Sequence, residues 1–183
     1  MATGRRRKRL ALSLGLLLLC GEAQACSYDG LALDLALAHP ASLDVSLALH
    51  QAYQSKRLAT PLLLPGGFGM RRTLSMLEKL RVALAPVVAG ESFSLLLVEP
   101  GLWAHFDGSG AQLRVTLHVA APGADDNAII TGEGVLQALV QGKLSAEQAL
   151  QAGLLQVQAA PGQRERLSGR WSQAFTPSSI AAR

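Results

Sequence analysis

The sequence predicts an α+β fold: about five strands in a mostly antiparallel sheet, with helices packed on one face. Three observations carry that expectation. Residues 127–157 (NAIITGEGVLQALVQGKLSAEQALQAGLLQV) read as strand, helix, tight break, helix and strand. Residues 93–119 hold three short apolar or alternating runs separated by turn residues. Two leucine-rich stretches at helical spacing, each bounded by prolines, come before them.

The chain opens as a secretory signal would. Arg5, Arg6, Arg7, Lys8 and Arg9 form a basic start, Leu10 to Leu19 an apolar run, and Ala23-Gln24-Ala25 a small-x-small cleavage pattern. Residues 1–25 are therefore expected to be removed on export to the periplasm or beyond. They hold five of the 17 basic residues and one of the 13 acidic ones, so the remainder carries 12 of each. The high pI belongs to the signal, and a near-neutral remainder lacks the charge footprint of nucleic-acid binding.

Cys20 leaves with the signal, so Cys26 becomes the first residue and no internal disulfide can form. Three readings of Cys26 stay open: an ordinary first residue, the acylated cysteine of an outer-membrane lipoprotein, and a free α-amino nucleophile. A lipid on Cys26 is the only membrane contact the sequence offers. The lipoprotein reading lacks the usual leucine three places earlier, where Ala23 stands. The hydrolase reading lacks an oxyanion or orienting motif.

Residues 26–176 form one domain, followed by a loose tail, 177–183. Leu31, Leu33, Leu35 and Leu37 alternate as in a strand, although the alanines between them leave a helix open. After Pro40, Ser42 is expected to cap a helix to about Arg57 that buries Leu43, Leu47, Leu49 and Tyr53. Pro61 to Gly69 reads as a loop. Met70 to Ala85 reads as a helix with Leu74, Leu77, Leu80 and Leu84 on one stripe. Phe93 to Val98 is apolar enough for a strand buried on both faces. Glu99-Pro100-Gly101-Leu102 suits a type II turn. Leu102 to Phe106 is the next strand, and Asp107-Gly108-Ser109-Gly110 turns the chain again. Leu113 to Val119 then alternates apolar with polar.

Beyond the breaker residues 122–126, Asn127 to Thr131 reads as a strand, with Thr131 expected to cap a helix through Val135, Leu136, Leu139 and Val140. Gly142 stops that helix. Ser145 and Gln148 form a capping box for the next one, which Gly153 ends. Leu155, Val157 and Ala159 alternate with Gln156 and Gln158. Leu167, Trp171 and Phe175 mark a last helix before Pro177.

The order of a strand ending in Thr131-Gly132, a helix, the run GKLSAEQAL at 142–150, Gly153 and a strand resembles the end of the sterol carrier protein 2 (SCP2-like) lipid-binding domain family. The resemblance is close over 127–157 and looser over the strands before it. It implies helices over one face of a five-stranded sheet, with a lipid held between them. Around such an apolar cavity belong Trp103, Phe106, Leu136, Leu139, Val140, Leu150 and Leu154; the same side chains would equally serve as core filling. The export signal and the helix-rich start depart from the family pattern and leave ligand and role open.

Other groupings offer little chemistry. Gly66, Gly67 and Gly69 before Arg71 and Arg72 could bind an anion at a helix start, or form an ordinary loop. His39, His50, His105 and His118 lack metal-ligand spacing. Arg114, Thr116 and His118 suit a solvated strand face, and Asp125-Asp126 lacks the other ligands of a calcium loop. Glu133 and Glu147 fit first-turn helix electrostatics. No cofactor, metal or catalytic residue is expected. The leading expectation is a non-catalytic carrier for a lipid-like ligand. The alternatives are an accessory protein docking an exported enzyme or envelope complex and, last, a Cys26 hydrolase.

Overall fold

Phe93 to Leu97 are buried without a break because of where they lie. Strand β1 (Ser92–Leu97) is the centre of a five-stranded sheet, flanked by β2 (Leu102–Asp107) and β3 (Arg114–Leu117) on one side and by β4 (Ala128–Thr131) and β5 (Leu155–Gln158) on the other, in the order β3-β2-β1-β4-β5. The β1–β4 pairing is parallel and the remaining pairings are antiparallel. The architecture is α+β with a mostly antiparallel sheet. The computed structural model describes residues 39–176 apart from 63, 65 and 124. The expected signal 1–25, the readings of Cys26, the strand-or-helix reading of 26–38 and the expected tail 177–183 fall outside the described residues.

Residues directly opposite one another share a face of the sheet. One face carries Phe93 opposite Phe106, Leu95 opposite Ala104 and Ile129, and Leu97 opposite Leu102. Phe93 and Phe106 stack with ring centroids 4.9 Å apart. Trp171, on the last helix α5 (Pro161–Ala174), meets Phe93 edge-on at 6.1 Å and lies 5.7 Å from Phe175. The chain has few aromatic residues, yet four of them gather in this one cluster and are fully buried. The other face carries Leu96, Trp103 and Ile130, which are buried, beside the more polar row Ser94, His105 and Thr116.

Four helices complete the unit: α1 (Ser42–Gln54), α2 (Gly66–Leu84), α3 (Glu133–Val140) and α4 (Ala146–Gln151). Helix α2 packs on both α3 and α5, and α4 packs on α5. The local signals in 142–158 hold in detail. Gly142 and Gly153 adopt the positive φ of helix stops, 71° and 68°. Both halves of the capping box are made, from the Gln148 amide to Ser145 Oγ at 3.1 Å and from the Ser145 amide to Gln148 Oε1 at 3.0 Å.

Several expectations fail, each for a physical reason. Ser42 is not a cap. Ala41 takes that position, and Ser42 lies buried inside the helix with its hydroxyl unbonded. Helix α1 buries Val45, Leu49 and Ala52 and leaves Leu43 and Leu47 58 % and 55 % exposed. Leu49 is buried as expected, and Val45 and Ala52 take the inward places that Leu43 and Leu47 were expected to fill. Helix α2 starts at Gly66 rather than Met70, so the glycines expected in a loop belong to its first turn. Leu74 is partly exposed, while Leu77, Leu80 and Leu84 are buried as expected. Strand β3 ends at Leu117 because His118 turns the chain with φ of 54°.

Candidate functional site

The start of α3 is where the fold concentrates its buried polar groups. Thr131 does not cap this helix; its hydroxyl donates to the Leu154 carbonyl at 2.8 Å and ties β4 to the start of β5. The cap comes from far along the chain. Glu99, in the β1–β2 turn, accepts the Glu133 backbone N–H at 2.9 Å through one carboxylate oxygen. Its other oxygen accepts the Tyr53 hydroxyl of α1 at 2.7 Å. A carboxylate at a helix N-terminus satisfies an otherwise open amide and faces the positive end of the helix dipole.

The backbone is shaped to admit this arrangement. A Cβ on Gly132 would lie 2.6 Å from Glu99 Oε1, and one on Gly134 would lie 2.6 Å from Tyr53 Oη. Both distances are below contact, so a side chain at either position would push Glu99, Leu49 or Tyr53 out of place. Burial raises the Glu99 pKa above 4.5; the hydrogen bonds from Tyr53 and from the Glu133 amide oppose the shift, and the Glu133 carboxylate adds to it. Burial also pushes the Tyr53 phenol well above its usual value, helped by the Glu99 charge.

Glu133 has a larger role than dipole electrostatics in a first turn. It is 3 % exposed, and its carboxylate accepts from the Arg72 guanidinium and the Thr73 hydroxyl, both on α2. Arg72 also donates to the Leu62 carbonyl. Of the two arginines that could serve an anion site, Arg72 is used inside the molecule and Arg71 is exposed. Glu147 behaves as expected, exposed in the first turn of α4.

Above the Arg72–Glu133 pair a cleft of about 250 Å³ opens between α2 and α3. Met76 and Val140 give it apolar walls, and Ser75, Gln137 and Gln141 give it hydrogen-bonding groups. Lys79 stands among the lining residues and makes no ion pair among the described residues. Because Arg72 and Glu133 neutralise one another, Lys79 supplies the net charge of the cleft. Such a site can hold a small amphiphile, with an apolar part against Met76 and Val140 and a polar part toward Lys79 and the amides.

The seven residues expected around an apolar cavity are not gathered at one opening. Val140 lines the α2–α3 cleft. Trp103 borders a separate concavity of about 200 Å³ with Met70, Pro100, Gly101 and His118. Phe106, Leu136, Leu139 and Leu154 are buried, and Leu150 is partly buried against the core. On α3, Leu136 stands one turn from both Glu133 and Val140, so the core begins directly beside the cleft.

A third concavity, of about 440 Å³, lies on the polar row of the sheet and is lined by Ser94, His105, Thr116 and Asp126 among others. Ser94 Oγ and His105 Nδ1 are 3.2 Å apart. Eleven residues separate them in sequence, and only the cross-strand register joins them. Arg114 points to Asp107 at 2.9 Å, and Asp126 accepts the Gly123 amide at 2.8 Å, so both are accounted for locally. Among the described residues, no three His, Cys, Asp or Glu side chains gather as metal ligands. No helix of the described residues is long and apolar enough to cross a membrane.

No protein-family model and no curated protein matches this sequence. Its structural neighbours are SCP2-domain proteins. One is a solved structure described as UbiJ-SCP2 ubiquinone synthesis protein, 17 % identical, covering 52 % of this chain and 79 % of its own, with a TM-score of 0.35. Another is palmitated SCP2L2 from Aedes aegypti, also 17 % identical, covering 53 % of this chain and 91 % of its own, with a TM-score of 0.41.

Proposed function

We propose that this chain is a non-catalytic binding module for a lipid-like, amphiphilic ligand, taken up at the α2–α3 cleft. The observation that carries the reading is the composition of that cleft. Apolar Met76 and Val140 stand beside Lys79, which makes no ion pair among the described residues, and several amide and hydroxyl groups, over a floor whose charges already cancel. Its volume of about 250 Å³ lies just below the usual range of ligand clefts, roughly 300 to 1,000 Å³. A single chain or a small ring therefore suits it better than a fused polycycle. Leu136, one turn along α3 from Val140, backs that apolar wall from the core.

The absence of catalysis is part of the same reading. Each oxygen of Glu99 and of Glu133 accepts from a protein donor, which supports a structural role for both carboxylates. The setting we propose is the periplasm or the exterior after cleavage near Ala25. It rests on the basic and apolar pattern of residues 1–19.

Organic extraction of protein purified from its native compartment, followed by lipid mass spectrometry, tests the function. A stoichiometric amphiphile is the expected outcome. A clean extract together with a protein recovered by pull-down would instead favour the accessory-protein reading. Intact mass from the same preparation tests the export reading, since cleavage after Ala25 removes residues 1–25. It also decides Cys26, because acylation adds several hundred daltons to the cleaved chain.

A further inference from the structure

We propose that Glu99 is a positioning residue for the cleft, acting through Glu133 to hold the α3 wall against α1. This deepens the reading of the α2–α3 cleft as a ligand site and rests on it. Glu99 does not line the cleft. It accepts the backbone amide of Glu133, the first residue of α3, while the Glu133 side chain is fixed by Arg72 and Thr73 of α2. The same Glu99 carboxylate takes the Tyr53 hydroxyl, so α1, the β1–β2 turn and α3 meet at one group. Gly132 and Gly134 bring the backbone so close to Glu99 and Tyr53 that neither position would accept a Cβ without movement.

The consequence follows from helix geometry. Glu133, Gln137, Val140 and Gln141 are the α3 residues of the cleft and lie along one strip of the helix. An eight-residue helix is too short to hold its own direction, so its pose is set by contacts at its ends. Releasing its first amide from Glu99 would shift all four lining residues together. Loss of a helix cap is worth enough to change affinity about five- to tenfold if it is felt at the site.

The test compares Glu99→Ala, Glu99→Gln and, as a control truncated in the core of β5, Val157→Ala. Two readouts are taken on the full chain: the Kd for cis-parinaric acid, and amide hydrogen exchange along 133–140 by mass spectrometry. Glu99→Ala should weaken the probe about five- to tenfold and speed exchange at the start of α3. Glu99→Gln keeps an acceptor for the Glu133 amide and should restore both to within about twofold of wild type. Val157→Ala should leave the probe affinity unchanged. Wild-type exchange in α3 of Glu99→Ala would overturn the proposal, as would an equal loss of affinity in Val157→Ala. If the wild-type protein binds no probe, the ligand reading of the cleft fails, and the exchange pattern still decides whether Glu99 positions α3.

Discussion

Glu99 shows how one residue can be invisible in sequence and central in structure. In the sequence it is the first residue of a turn, and nothing nearby marks it as a cap for a helix that begins 34 positions later. Its burial has a consequence for stability. A carboxyl whose folded pKa is raised binds its proton more readily when folded, so its contribution is fully present below 4.5 and is lost as pH rises through the folded value. His39 works the other way. Burial lowers its pKa, so its contribution is present above 6.5 and is lost as pH falls through its lower folded value. Asp107, held low chiefly by Ser109 and then by Arg114, contributes above 3.8 and loses that contribution as pH falls through its lower folded value. The difference between wild type and Glu99→Gln cancels His39 and Asp107. Urea melts between pH 4 and pH 8 should therefore show wild type losing ground to Glu99→Gln as pH rises. A difference independent of pH would mean that Glu99 carries no excess proton in the folded state.

At the scale of elements, α1 and α4 show what the sequence can and cannot convey. The α4 cap was legible because Ser145 and Gln148 act within one turn, and local chemistry needs no tertiary partner. The α1 stripe was legible only in part: Leu49 is buried as expected, whereas Leu43 and Leu47 are exposed and Val45 and Ala52 take the other inward places. The expected consequence is a sharp contrast between neighbours. Leu47→Ala should change unfolding free energy by no more than about 0.5 kcal/mol, as an exposed substitution does. Leu49→Ala should cost about 2–5 kcal/mol, because Leu49 is 3 % exposed and packs near Gly132. Equilibrium denaturation of the two variants checks this, and equal costs would place the helix in another rotation. The start of α2 was misplaced for a related reason. Glycines read as loop when taken singly, but Arg72 and Thr73 pin this helix to Glu133 and that fixes its first turns.

The whole molecule separates two places where a lipid-like ligand could sit. The strands, the buried central strand and the helices were readable from periodicity and turn residues, whereas the strand order and the parallel β1–β4 pairing depend on long-range register and were not. The site was less readable, because the seven residues chosen for greasiness are mostly what fills the space between sheet and helices. Phe93, Phe106, Trp171 and Phe175 occupy that space with stacked and edge-on rings, and a ligand entering it would have to displace close packing. The α2–α3 cleft demands no such displacement. Val140→Trp discriminates between the two. Val140 is only part-buried and lines the cleft, so a larger side chain there can fill the opening without overpacking the core. If the ligand sits in the cleft, the variant should keep the wild-type unfolding free energy to within about 1 kcal/mol, the low end of overpacking costs, while retained lipid falls at least tenfold. If the ligand lies deeper, among Phe106, Leu139 and Leu154, retained lipid should be unchanged, and the cleft would be an indentation between two helices rather than the binding site.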